Sequence, residues 1–221
     1  MGLDMYLSKA KRVNSVTAKE LNVLDNYFDY VTRKNQYRDC TLKEWCNLDM
    51  EDVNMDLTAD YITEYVHRYS HWDTEKKYGF KTIFQQVGYW RKANHIHNWF
   101  VQNVQNGVDD CGIYEVKKYQ LEELLRICNE VLNASKLIDG QVYNGRTFEN
   151  GEWKNNYIEG STIEDSSVAK ELLPTTDGFF FGGTDYDEYY YLDVKNTVDI
   201  IKDVLKTTNF RHEIVIYHSS W

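Results

Sequence analysis

The densest run of side chains able to do chemistry is YWRKANHIHNWF, from Tyr89 to Phe100. Helical spacing over Tyr89–Val104 puts Tyr89, Ala93, Ile96, Phe100 and Val104 on a buried stripe. Arg91, His95, Asn98 and Gln102 then share another face. That face offers a permanent cation, an imidazole and two amides, a set suited to an anionic or amide-bearing small ligand, because arginine grips phosphate or carboxylate bidentately. Trp90 and Trp99 flank the face and are able to stack on a planar base. The expected ligand-binding set is therefore Trp90, Arg91, His95, Asn98, Trp99 and Gln102. The plainer alternative is that the polar face bonds neighbouring backbone and the tryptophans fill the core.

Other groups are weaker. His95 and His97 form an HxH pair, but two residues apart on a helix diverge by about 200°. Glu64, His67 and His71 fall close to one face of a second expected helix, with part of the spacing of a carboxylate-bridged metal bundle. No second Glu-x-x-His completes such a site, so neither metal nor cofactor is expected. FFFGGTDYDE reads as strand, Gly-Gly turn and helix start, with Thr184 and Asp187 as a cap pair. Its turn is able to aim backbone N–H groups at phosphate, yet Asp185, Asp187 and Glu188 already occupy the helix start and repel an anion. Asp4 is a lone carboxylate in an apolar strand, placed to meet a donor-rich ligand if it faces a cleft near Tyr6 and Tyr217. Ser219 and Ser220 beside His218 make no nucleophile–base pair by spacing. Catalytic signatures such as GxSxG, GxGxxG and HExxH are absent, so the reading leans away from an enzyme.

These side chains need elements to hold them. Alternation over Met1–Leu7 and around Ile214 and Ile216 predicts a strand at each end of the chain, sharing one sheet. Between them the pattern is mostly helical. Thr17 with Glu20 forms a capping box opening a helix to about Lys34. Thr41 and Thr58 open two more. Leu121, Leu124, Leu125, Cys128 and Leu132 mark an amphipathic helix, Ser166–Leu173 a short one stopped by Pro174, and Thr184 a last one. GFFFGG is expected as a buried strand. Residues 139–160 hold two Asn-Gly pairs among aromatic and β-branched residues, the signal of a tight hairpin, here an insertion or flap. The expected fold is one compact α+β domain over residues 1–221, mostly helical, with a small antiparallel or mixed sheet containing both termini.

Composition excludes several classes. With 221 residues the chain is long enough for its own core, and 42% hydrophobic with 15% aromatic residues is incompatible with disorder. A net charge of −10 argues against a duplex nucleic-acid partner, which needs a basic surface. No apolar run is long enough to span a membrane, and no signal-peptide pattern is found, so a cytoplasmic location is expected. Four cysteines, Cys40, Cys46, Cys111 and Cys128, lack CxxC spacing. The 18 Tyr and 6 Trp suit a binding surface and an aromatic core equally.

MGLDMYL, YWRKANHIHNWFVQNVQ, ELLPTTDGFFFGGTDYDEYY and the Ser-Ser-Trp end together resemble a family of small proteins encoded by bacteriophages and prophages. The resemblance carries over no catalytic or binding residue. It implies an accessory role in the host cytoplasm, such as counter-defence. The expectation is a protein that binds and sequesters a small, anionic, nucleotide-like signal of host immunity without turning it over. The alternatives are a protein-binding inhibitor of a host defence effector and an enzyme acting on a nucleotide.

Overall fold

The computed structural model describes residues 2–12, 17–22, 71–72, 81–82, 84–178 and 180–221. Its centre is a four-stranded antiparallel sheet ordered β4-β1-β8-β5. The strands are β1 (Asp4–Lys11), β4 (Gln85–Arg91), β5 (Tyr114–Val116) and β8 (Glu213–Ser220). β1 and β8 pair along their whole length, Asp4 opposite Ser220 and Lys11 opposite Glu213. Both chain ends are thereby tied into the middle of the sheet, the usual remedy for fraying termini. Short strands β2 (His71–Trp72) and β3 (Lys81–Thr82) pair separately.

Pleating turns Met5 and Leu7 of β1 and Val215 and Tyr217 of β8 toward one apolar cluster. Helices α1 (Asn94–Asn103), α2 (Lys118–Ala134), α3 (Ser167–Leu172) and α4 (Glu188–Thr207) close over it. α2 contributes Leu121, Leu124, Cys128 and Val131, and α4 contributes Tyr190, Val194, Val198 and Ile201. Each set recurs every three to four residues, so each helix presents one apolar stripe. Gly88 of β4 lies under α4: a Cβ there would sit 2.7 Å from Ile200.

Strands β6 (Leu137–Glu149) and β7 (Glu152–Ile163) form a long two-stranded arm. Of the two Asn-Gly pairs, Asn150-Gly151 makes the turn, both residues having positive φ (53° and 85°), as a type I′ turn requires. Asn144-Gly145 instead lies at a register shift between Tyr143 and Arg146, with Gly145 at φ 87°. At its base the arm is held by the Ile163 amide donating to the Tyr186 carbonyl (3.0 Å) and the Ser161 amide donating to the Glu188 carboxylate (3.0 Å).

Several expectations are corrected. Among the described residues the fold is mixed rather than mostly helical: helix accounts for 38% and strand for 33%. The β6–β7 arm holds the largest share of the strand residues, and the expected helix over Tyr89–Val104 is divided. Residues up to Arg91 form β4, because β1 offers a free edge and Val87 to Arg91 satisfy a period of two as well as a helical one. The helix begins only at Asn94. GFFFGG forms no strand among its described residues; Gly182 has φ 92° and the stretch is a loop crossing the start of β1, where the Leu3 amide donates to the Phe180 carbonyl (3.0 Å). The last helix opens at Asp187, not Thr184: the Asp187 carboxylate accepts from the Tyr189 and Tyr190 amides. The Thr17–Glu20 capping box is present, with helix over 18–22. The remainder of that helix, the helices opened by Thr41 and Thr58, Cys40 and Cys46 lie outside the described residues.

Candidate functional site

β4 ends at Arg91 and α1 begins at Asn94, so the two-residue joint between them places several side chains at one spot. Lys92 takes the left-handed conformation (φ 61°), uncommon for a residue with a Cβ. Its amide donates to the Leu3 carbonyl (2.8 Å), which fixes the joint against the N-terminal segment. The loop of residues 175–178 and 180–183 is laid over the joint, and the Asn94 side chain ties it there by hydrogen bonds. Asn94 Nδ2 donates to the Phe181 carbonyl (3.1 Å) and the Gly183 carbonyl (2.7 Å), and Asn94 Oδ1 accepts from the Thr176 amide (2.9 Å). The approach is close enough to require glycine at 182: a Cβ there would lie 3.1 Å from the Lys92 carbonyl oxygen.

Between this joint, the loop and the start of α4 lies a cavity of about 440 Å³. Arg91, Lys92, Asn94 and His95 line one part, Tyr143 of the arm another, and Thr175, Gly182 and Gly183 the loop side. The start of α4 and the residues before it supply Asp185, Asp187, Tyr189, Tyr190, Leu192 and Asp193. Arg91 and Lys92 are exposed and form no ion pair among the described residues.

His95 is 3% exposed, and its ring stacks at a tilt on Tyr190, centroids 4.2 Å apart. Among the described residues its Nε2 has no hydrogen-bond partner, an expensive state for a buried polar atom. Burial pushes its pKa down to about 3, so the imidazole is neutral at physiological pH. The carboxylates shift the opposite way. Burial pushes Asp193 up to about 7, with the Asp187 charge adding to it. Asp187 is also raised by burial, against the pull of the two amides it caps. Tyr190 is raised by burial too, and its hydroxyl donates to the Leu173 carbonyl (2.9 Å). One cavity thus joins exposed cations, a neutral buried imidazole, and carboxyls whose proton affinity is raised.

Of the expected ligand-binding set, Arg91 and His95 line this cavity. They meet there from a strand end and a helix start rather than along one helix face. Trp90 and Trp99 are corrected to core residues: Trp90 is 2% exposed and its Nε1 donates to Thr197 Oγ1 (2.8 Å), and Trp99 packs edge-on against Phe100. Asn98 is half-buried and Gln102 exposed, and neither lines the cavity. With β4 reading as strand, Trp90 faces inward and Arg91 outward, which separates residues that a helix would have grouped.

Sequence reasoning missed Asn94, Asp193 and Tyr143. Asn94 sits inside the motif, but only the folded loop shows what it ties. Asp193 looks like any exposed acid on an amphipathic helix. Tyr143 comes from the arm.

The second histidine goes elsewhere. His97 Nδ1 lies 2.7 Å from the Tyr217 hydroxyl and Nε2 lies 2.9 Å from Asp109 Oδ2, so both ring nitrogens are occupied. Asp109 also accepts from Trp221 Nε1 (3.2 Å). This chain, buried at His97 and Tyr217 and exposed at Trp221, links α1 to β8 and to Trp221. His95 and His97 therefore share no ligand. Among the described residues no group of three or more His, Cys, Asp or Glu is placed to hold a metal ion. Glu64 and His67 lie outside the described residues, and His71 is in β2, not on a helix. Asp4 is the first residue of the inner strand β1, where it accepts a hydrogen bond from the Tyr89 hydroxyl.

Among the described residues no helix is long and apolar enough to cross a membrane. No protein-family model, curated protein or solved structure matches the chain.

Proposed function

We propose that the chain binds a small, anionic, nucleotide-like molecule in the Arg91–His95 cavity and holds it without turnover. The observation that carries this reading is the meeting, in one cavity, of two exposed cations and a buried His95 nitrogen that have no ion-pair or hydrogen-bond partner among the described residues. Arg91 and Lys92 supply charge for a phosphate. His95 Nε2 offers a neutral hydrogen-bonding atom, and Tyr143, Tyr189 and Tyr190 offer rings beside which a planar base fits. Asp187 and Asp193 accept from a donor-rich base edge, or donate once protonated. A volume of about 440 Å³ falls in the range of small-ligand sites, about 300–1,000 Å³. The resemblance to phage-encoded proteins makes signal nucleotides of a host cytoplasm the class to try first, with sequestration as the role.

One observation favours a different reading. Asp193, with a pKa near 7 in the same cavity, has the proton affinity that suits a general acid or base. A single experiment separates the two. The protein is incubated with a panel of ribonucleotides, freed of unbound material and heat-denatured, and the released material is analysed. Intact nucleotide supports capture, and altered nucleotide supports an enzyme. No retention rejects both and leaves a protein target for the exposed aromatic surface. Arg91→Ala is the companion variant: the exposed guanidinium has no ion pair to lose, so binding falls while the melting temperature holds. A variant that binds normally rejects the cavity as the site.

A further inference from the structure

The cavity does not end at the arm. A second, more open groove of about 820 Å³ adjoins it and shares Lys92, Tyr143, Gly182, Gly183 and Tyr189 with it. Beyond the shared residues the groove is lined by Arg146, Asn144 and Gly145 of β6 and by Asp177, Gly178 and Phe180 of the loop. We infer that the two form one site for a ligand of two nucleotide units joined by a phosphodiester, a dinucleotide or the end of a short single strand, with one unit in each part. This rests on the nucleotide reading above and extends it from one unit to two.

Three observations support it. Lys92 and Tyr143 belong to both parts, so a cation and a ring lie at the junction, where a linking phosphate and a stacked base would be held. Arg146 is exposed and forms no ion pair among the described residues, giving the second part a cation of its own. The register shift at Asn144-Gly145 is the third. It is not needed to turn the chain, because Asn150-Gly151 does that, and bulges of this kind re-aim side chains beside sites. Tyr143 pairs across the arm with Tyr157 (6.1 Å between centroids), and the exposed Phe148–Trp153 pair (5.3 Å) lies further along the arm, outside the groove lining. Within the groove, Lys92 and Arg146 stand beside the Tyr143 and Tyr189 rings, a combination that suits single-stranded nucleic acid, since every base has a face to stack. Asp177, Asp185, Asp187 and Asp193 also line the two parts, so Arg91, Lys92 and Arg146 have to hold the phosphates against them, and the raised proton affinity of Asp187 and Asp193 lessens that opposition.

The test is calorimetric titration of the full chain with the four ribonucleoside 5′-monophosphates and with the 3′,5′-linked dinucleotides carrying a 5′-phosphate. At least one dinucleotide should bind about tenfold to hundredfold more tightly than its own mononucleotide, the gain expected from one more stacked base. Arg146→Ala should remove most of that gain and leave mononucleotide binding unchanged, while Arg91→Ala weakens both. Equal affinity for the two ligand lengths, or an Arg146→Ala variant that binds the dinucleotide as wild type does, overturns the two-unit site and leaves the one-unit reading standing. If no nucleotide of either length binds, both readings fall together.

Discussion

Asn94→Ala removes the side chain that, among the described residues, hydrogen-bonds the loop after Pro174 to the β4–α1 joint. Three hydrogen bonds are lost, at 3.1, 2.7 and 2.9 Å. Each is worth roughly 0.5–1.5 kcal/mol net. The Gly183 end is exposed and water replaces it there, whereas Thr176 and Phe181 are half-buried. The loss should therefore be about 2–3 kcal/mol, a fall in melting temperature of about 4–12 °C for a chain of this size. Urea unfolding at 25 °C measures the first quantity and thermal unfolding the second. Amide hydrogen exchange places the effect: the Thr176 amide, bonded to Asn94 itself, and the Leu3 amide, bonded to the Phe180 carbonyl, should both lose protection. Asn94→Asp is the sharper control. It keeps an oxygen for Thr176 but turns a second oxygen toward the Phe181 and Gly183 carbonyls. It should be at least as damaging at neutral pH and recover in acid, when the carboxyl regains a proton to donate. A loss below about 0.5 kcal/mol with unchanged exchange at Thr176 would refute the idea that Asn94 holds the loop.

Three further outcomes follow from the same geometry. In the unfolded chain His95 titrates near 6.5, but folded it stays neutral down to about 3, so below pH 6.5 only the unfolded state gains the proton. Wild type should lose stability relative to His95→Phe by up to about 1.4 kcal/mol per pH unit from 6.5 toward 3; a pH-independent gap between their urea curves would count against the buried imidazole. Asp193 has the opposite sign: its folded pKa is raised from 3.8 to about 7, so its contribution is present below 3.8 and is lost as pH rises through 7. The stability of Asp193→Asn relative to wild type should climb from pH 4 to 7 and then level off, and a flat difference would show an ordinary surface carboxylate. The buried Cys128 thiol, pushed up to about 12, should resist iodoacetamide in the native protein while half-buried Cys111 reacts, as peptide mass mapping would read; equal labelling of the two would contradict the core position of Cys128.

The sequence by itself determined the parts governed by local chemistry. The Thr17–Glu20 box, the apolar stripe of α2 and the stop at Pro174 each depend on neighbours within a few residues. The hairpin was legible too, because Asn-Gly tolerates positive φ wherever it stands, although sequence did not say which pair turns and which bulges. Tertiary structure decided the site. Val87 to Arg91 fit strand and helix periods alike, and the open edge of β1 chose the strand, moving Trp90 into the core and leaving Arg91 at the cavity. GFFFGG has the composition of a buried strand, but the Asn94 side chain and the Leu3 amide take up its carbonyls and hold it as a loop. Asp193 is distinguished only by what buries it, and Tyr143 by an arm that leads back to residues some fifty positions earlier in the chain, Arg91 and Lys92. Spacing along a chain reports which residues share a face of one element. It carries no information on which elements pair, and that pairing set both the burial and the electrostatics of the cavity.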